Sequence, residues 1–255
     1  MIPKIIHYCW FGDNPLPSLA KKCIYSWKKY FPEYEIKEWN ETNFDVNSIL
    51  YTQEAYQAKK YAFVSDYARF WVLYQYGGIY FDVDVEIIKP LDDILTKGPF
   101  MGCEKDGSIM EKIAVNPGLG LASNPGMSFY KKVLDYYSTL HFFTKEGLMN
   151  MSTVVEYTTQ LLFEVGLENK NEIQKVNDIF IYPKTFFCPL DSTLSICITS
   201  DTRTIHHYNA SWLPPYRQYV KKIKRHSGGS AHDHNWGHLF GVQLCPVQGG
   251  LETAD

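Results

Sequence analysis

The stretch GGIYFDVDVEII, Gly77 to Ile88, sets three acidic residues into an otherwise apolar run. Asp82, Asp84 and Glu86 occupy alternate positions, and alternate residues of an extended chain share a face, with Cα atoms roughly 7 Å apart. A strand buried on both faces carries valine or isoleucine at such positions. Carboxylates therefore need a reason to be there. Two of them can converge on one hard cation at or just past a strand end, and Mg²⁺ or Mn²⁺ held this way in turn suits a phosphate. Buried without a cation, the pair costs desolvation and mutual repulsion. The plainer alternative is an edge strand whose acids face water.

Immediately upstream, residues 52–78 form the longest helical pattern in the chain, closed by the Gly77-Gly78 pair suited to a helix C-terminus. Asp66 and Arg69 stand three apart on it, hence on one face. They read either as an intrahelical ion pair of about 0.3–0.5 kcal/mol or as a pair that holds hydroxyls and phosphate oxygens beside a metal. Their neighbours Phe63, Val64, Phe70 and Trp71 are apolar, which weakens the first reading.

Toward the N-terminus, PKIIHYCWFG reads as a strand, SLAKKCIYSWKKYFP as an amphipathic helix with Ser18 as N-cap and Pro32 as stop, and YEIKEWN as a strand. That β-α-β order points to a parallel α/β sheet. Downstream, GPFMGCE and IAVNPGLGLAS read as short strands. PGMSFYKKVLDYYSTL and STVVEYTTQLLFEVGL read as helices, and IFIYPKTFFCP and TRTIHHYNASW as strand-and-loop material. After Trp212 the character changes. The expected organisation is one domain over 1–226, with a basic amphipathic segment at 215–226, and a flexible Gly-rich tail or appended sequence over 227–255.

Composition bounds the function. A net charge of −3 argues against a nucleic-acid-coating protein. Six scattered cysteines with no C-x-x-C pair fit reduced thiols in a cytosolic protein. The N-terminus lacks the apolar core of a secretory signal. No run approaches the ~18–20 apolar residues that span a bilayer. The expected location is the cytoplasm, at most on the inner face of the plasma membrane.

Through IPKIIHYCWFG, AFVSDYARFWVLYQYGGIYFDVDVEIIKPLD and IHHYNASW the chain resembles the family 32 glycosyltransferases. These are DXD-containing sugar transferases, many from capsule and cell-surface polysaccharide clusters. The glucosylating domains of the large clostridial toxins are more distant relatives. The resemblance covers roughly residues 1–212 and implies a GT-A fold, a Rossmann-like mixed α/β sheet flanked by helices. It also implies that Trp10 stacks on the nucleotide base and that Asp66 and Arg69 bind ribose or sugar hydroxyls. Asp82 would contact the donor and the metal, and Asp84 would ligate Mn²⁺ (or Mg²⁺) directly. A third ligand is expected from HHYNASW, with His207 favoured and His206 its rival, while Ser211 and Trp212 close over the diphosphate. Ala210 departs from the glycine that many relatives carry in that loop. Asn116 and Gln160 are candidate walls of the sugar pocket.

The activity so implied is a retaining, metal-dependent transfer of a hexose from a nucleotide-sugar donor, UDP-linked by expectation, in polysaccharide biosynthesis. The acceptor would be a saccharide or lipid-linked saccharide. Arg217 to Arg225 would suit peripheral contact with anionic headgroups; no nucleic-acid partner is expected. Two readings from other classes share parts of the pattern. In a haloacid-dehalogenase-like phosphatase the first aspartate of D-x-D is a nucleophile, and a nucleotide-sugar binding protein would use the same fold without catalysis.

Overall fold

A computed structural model describes residues 1–190 and 196–208, together with the backbone of Val242–Leu244. The N-terminal unit forms as its pattern dictates. Strand β1 (Ile5–Cys9) leads through helix α1 (Ser18–Tyr30) to β2 (Glu35–Trp39), which pairs with β1 in parallel. Pro17 occupies the cap position of α1, one residue before the expected Ser18, and offers no side-chain cap.

The helical pattern over 52–78 divides in two. Helix α2 (Leu50–Gln57) and helix α3 (Tyr61–Tyr76) are separated by Lys59, whose φ of 56° is left-handed. The period of the apolar residues continues across this break, so periodicity alone does not reveal it. Gly77 and Gly78 then turn the chain, at φ of 63° and 98°. A Cβ at Gly78 would lie 2.6 Å from the Ile5 carbonyl oxygen, and one at Gly77 2.8 Å from that of Ser123. Only glycine fits where this turn presses between two strands.

The acidic run is likewise not one strand. Strand β3 (Gly78–Tyr80) ends before Asp82, and β4 (Val85–Ile87) belongs to a different sheet. Between them the Val85 amide donates to the Asp82 carbonyl over 3.0 Å, the signature of a β-turn. Breaking the strand here spares Asp82 and Asp84 full burial, which continuous pairing in the sheet would impose.

The remaining elements are α4 (Asp92–Leu95), β5 (Phe100–Lys105), β6 (Ala114–Val115), β7 (Leu121–Ser123), α5 (Ser128–Ser138), α6 (Val154–Phe163), β8 (Gln174–Val176), β9 (Ile179–Tyr182), α7 (Lys184–Phe187), β10 (Ile196–Ile198), β11 (Thr204–His206) and β12 (Val242–Leu244). The main sheet runs β2-β1-β3-β7-β5-β9-β8, with β6 beside β5. It is mixed: β2, β1 and β3 are parallel, β7 runs against its neighbours, and β5 and β9 are parallel again. β11 pairs with β4 in antiparallel, and β10 with β12 in parallel.

Two apolar clusters cover the sheet. One gathers residues of α2, α3, α5 and α6 around Tyr51, Phe70 and Tyr137; the other packs α1 and α7 around Trp27, Phe81 and Phe187. Helix α6 begins with a reciprocal capping box between Thr153 and Glu156. Cys9, Cys23, Cys103 and Cys188 are buried thiols, whereas Cys197 is disulfide-bonded, an exception to the all-thiol expectation.

Candidate functional site

Strands β1 and β3 are adjacent and parallel, and their carboxyl ends open onto a cavity of about 480 Å³. In open α/β sheets ligands collect beyond such strand ends. Trp10 and Phe11 leave β1 along one wall, the start of α1 forms another, and Lys59 to Ala62 lead into α3. Ser65 and Arg69 continue along α3, and Asp82, Asp84, His206 and Tyr208 complete the lining.

Asp66 and Arg69 form a buried ion pair of 2.8 Å, Arg69 Nη2 to Asp66 Oδ1. The same Nη2 lies 3.3 Å from Asp82 Oδ1, which also accepts the Tyr80 hydroxyl at 3.0 Å. Arg69 thus links the helix pair to the first aspartate of the turn. Its other terminal nitrogen, Nη1, is buried with no hydrogen-bond partner among the described residues. Burial works against the Arg69 charge, and Asp82, Tyr80 and Asp66 more than offset it. Burial pushes the Asp66 carboxyl up, against the pull of Arg69 and of the Val154 amide at the head of α6.

One oxygen each of Asp82 and Asp84 and one ring nitrogen of His206 all lie within 4.8 Å of one another. His206 Nε2 is 3.0 Å from Asp84 Oδ1. Burial favours the neutral imidazole, yet Asp84 outweighs it and holds the pKa above the ordinary histidine value. A proton here sits where two carboxylates favour positive charge, and a divalent cation answers the same field. Two carboxylates and an imidazole fit Mn²⁺, and Mg²⁺ less well for its preference for oxygen. Buried His206 Nδ1 has no partner among the described residues.

His207, favoured from sequence, turns instead to Glu86 at 2.9 Å, and Glu86 also receives Lys22 at 2.9 Å. Together they hold the Glu86 carboxyl down to about 2, the His207 hydrogen bond being the larger cause. Glu86 is therefore engaged away from the aspartate pair. The register explains the exchange of histidines: His206 stands opposite Val85 in the β11–β4 ladder, and neighbouring strand residues point to opposite sides.

Trp10 is half-buried on the cavity wall, its indole N–H bonded to the Asn14 carbonyl at 2.5 Å. Asn116 is near but turned inward. Its amide donates to Glu104 at 2.8 Å and its oxygen accepts the Gly118 N–H at 2.7 Å. Gly118 in turn approaches Asp82 so closely that a Cβ there would lie 2.1 Å from Asp82 Oδ2. Gln160 is exposed on α6 and is not brought to the cavity. Ser211, Trp212, the basic segment 215–226 and residues 227–255 apart from Val242–Leu244 lie outside the described residues.

Four residues at the site escaped the sequence reading. Tyr80 braces Asp82, Lys59 and Lys60 stand at the α2–α3 break, and Tyr208 packs edge-on against His206 with centroids 4.0 Å apart. Tyr208 has a left-handed φ of 46° and donates to Glu104 at 3.3 Å. Its place beside the His pair in HHYNASW was the available signal. The phosphatase reading gives no role to Trp10 or Arg69, both of which line the cavity.

Residues 17–101 match the family model described as the glycosyltransferase sugar-binding region containing the DXD motif. Inositol phosphoceramide mannosyltransferase 1 of Schizosaccharomyces pombe is 27% identical over 111 residues, 39% of this chain and 33% of that protein. The chain thus spans about a third of that relative's length. An uncharacterized glycosyltransferase of Acanthamoeba polyphaga mimivirus is 28% identical over 227 residues, 84% of this chain and 85% of the relative. Among solved structures, the PaToxG glycosyltransferase aligns over 64% of this chain and 69% of its own, at 19% identity and a TM-score of 0.49, a likeness too slight to carry weight. By its sequence, the chain is a relative of the DXD-containing glycosyltransferases.

Proposed function

We propose that this protein is a metal-dependent, retaining glycosyltransferase that moves a hexose from a nucleoside-diphosphate sugar, with UDP the expected nucleotide. The observation that carries the reading is the convergence of Asp82, Asp84 and His206 within 4.8 Å, at a cavity that Trp10 and Arg69 also line. In this reading Asp82, Asp84 and His206 hold Mn²⁺ or Mg²⁺, which would supply positive charge to the departing diphosphate. Trp10 offers a ring for the base. Arg69 Nη1, buried and without a hydrogen-bond partner among the described residues, is a donor for a ribose or sugar hydroxyl or a phosphate oxygen. Asp66 fixes Arg69 from behind and is the second candidate for sugar hydroxyls. Ser211 and Trp212 remain candidates for closing over the diphosphate. Asn116, held through Glu104 and Gly118, serves the site by bracing the backbone beside Asp82.

In the transfer, the bond between the anomeric carbon and the phosphate oxygen breaks while the acceptor oxygen bonds to the same face of that carbon. The acceptor proton passes to the departing phosphate oxygen, so no protein nucleophile is required. The fission-yeast relative is named for an inositol phosphoceramide acceptor. A lipid-linked saccharide acceptor for this chain agrees with that name, and a free saccharide is the alternative.

A panel of nucleotide sugars with Mn²⁺, read by nucleoside diphosphate release, tests the proposal. Release should depend on metal and on one donor, and should fall at least a hundredfold in Asp84→Ala, a loss of the size expected when one charged group at the leaving group is removed. Metal-independent turnover, or full activity in Asp84→Ala, would exclude it.

A further inference from the structure

Helix α1 carries a feature that the transferase site does not use. Its exposed residues are Ser18, Lys21, Lys22, Tyr25, Lys28 and Lys29, and the helix contains no acidic residue. At 3.6 residues per turn, the order around the helix is Lys28, Lys21, Tyr25, Lys29, Lys22, all within roughly 120°. Tyr25 therefore stands mid-face with two lysines on each side. It is 72% exposed, the most exposed aromatic side chain among the described residues. Of the four lysines only Lys22 has a carboxylate partner among the described residues, Glu86 at 2.9 Å. The face is thus a local excess of positive charge on a chain whose net charge is −3.

The opposite side of α1 is fixed to the strand that follows Asp84. Trp27 Nε1 donates to the Val85 carbonyl at 2.8 Å, Ser26 Oγ accepts the Ile87 amide at 2.9 Å, and the Tyr30 hydroxyl donates to the Ile88 carbonyl at 2.6 Å. At its start, Leu19 and Ala20 line the cavity. One rigid helix therefore presents a cationic face outward and walls the candidate site inward.

We propose that the outer face of α1 is a docking surface for an anionic lipid bilayer. Lysines spread across a face suit the negative potential of anionic headgroups. A tyrosine at their centre suits the headgroup level, where an aromatic body and a polar tip are both satisfied. An RNA could use the same charge and stack a base on Tyr25, but the chain's net charge of −3 argues against nucleic-acid binding. The lipid-linked form of the acceptor rests on the transferase reading; the docking surface itself does not.

Sedimentation of the full chain with vesicles tests this without any donor or metal, so its outcome is separate from that of the donor panel. The chain should bind phosphatidylcholine vesicles carrying phosphatidylglycerol, not phosphatidylcholine alone, and binding should weaken as salt shortens the Debye length. Each lysine near such a surface is worth about fivefold in partitioning, so Lys21→Ala/Lys28→Ala/Lys29→Ala should lose at least tenfold. Tyr25→Ala should lose severalfold. These positions are exposed, and unchanged thermal unfolding will verify folding of each variant. Lys221→Glu/Lys222→Glu/Lys224→Glu, in the basic segment, is the comparison. Binding that survives the α1 changes and vanishes with the segment would overturn the proposal, as would capture of RNA or heparin with no vesicle binding.

Discussion

Arg69 carries the heaviest electrostatic duty of any single residue here. One of its nitrogens reaches both Asp66 and Asp82, its plane lies over the Tyr80 ring at 5.1 Å, and its side chain is almost wholly buried. Replacing one partner of a buried pair leaves the other uncompensated, at a typical cost of 3–5 kcal/mol. Arg69→Ala should therefore lose roughly 3 kcal/mol of unfolding free energy, with protonation of Asp66 limiting the damage. Urea denaturation reads this directly, and an unchanged midpoint would show that the pair does not support the fold. That Asp66 and Arg69 act together was legible, because three-residue spacing in an apolar helix leaves few other partners. Which histidine joins Asp84 was not, since two adjacent imidazoles differ only by the register of β11 against β4.

Among the elements, β1 ties the frame together through His7. The fully buried ring lies between the Trp39 indole N–H, 3.0 Å from Nδ1, and the Gly77 carbonyl, 2.9 Å from Nε2. Nδ1 accepts and Nε2 donates, which is the pattern of a neutral imidazole. Burial, opposed by the Gly77 bond and aided by Lys37, lowers its pKa from 6.5 to about 4. Between those values the unfolded chain binds the extra proton and the native chain does not, so stability rises with pH there. Lowering the pH from 6.5 toward 5 should therefore lower the unfolding free energy by roughly 1–2 kcal/mol from this residue. The slope over that window should flatten in His7→Asn; an equal slope in both proteins would place the effect elsewhere.

The same elements mark what sequence pattern can carry. The β1-α1-β2 unit and the Gly77-Gly78 turn were readable because short-range rules set them. The break at Lys59 and the turn at Asp82–Val85 were not, since both arise from where α3 and β4 must pack. The acidic alternation in GGIYFDVDVEII was read through an extended geometry that the chain abandons at Asp82. What survives is the proximity of Asp82 and Asp84, now made by a turn, with Glu86 drawn off to Lys22 and His207.

At the scale of the molecule, β1 and β3 side by side in a mixed sheet deliver Trp10 and the aspartate turn to one cavity, α3 brings Arg69, and α1 closes it from the side. The central claim is that Asp82, Asp84 and His206 hold a divalent ion for a nucleotide diphosphate. Titration of Mn²⁺ in the presence of UDP, followed by the electron paramagnetic resonance of free Mn²⁺, measures it most directly. One ion should bind per chain, with affinity reduced at least tenfold in Asp84→Asn and in His206→Ala, and nearly unchanged in His207→Ala. Unaltered Mn²⁺ affinity in Asp84→Asn, or loss in His207→Ala with retention in His206→Ala, would contradict the account.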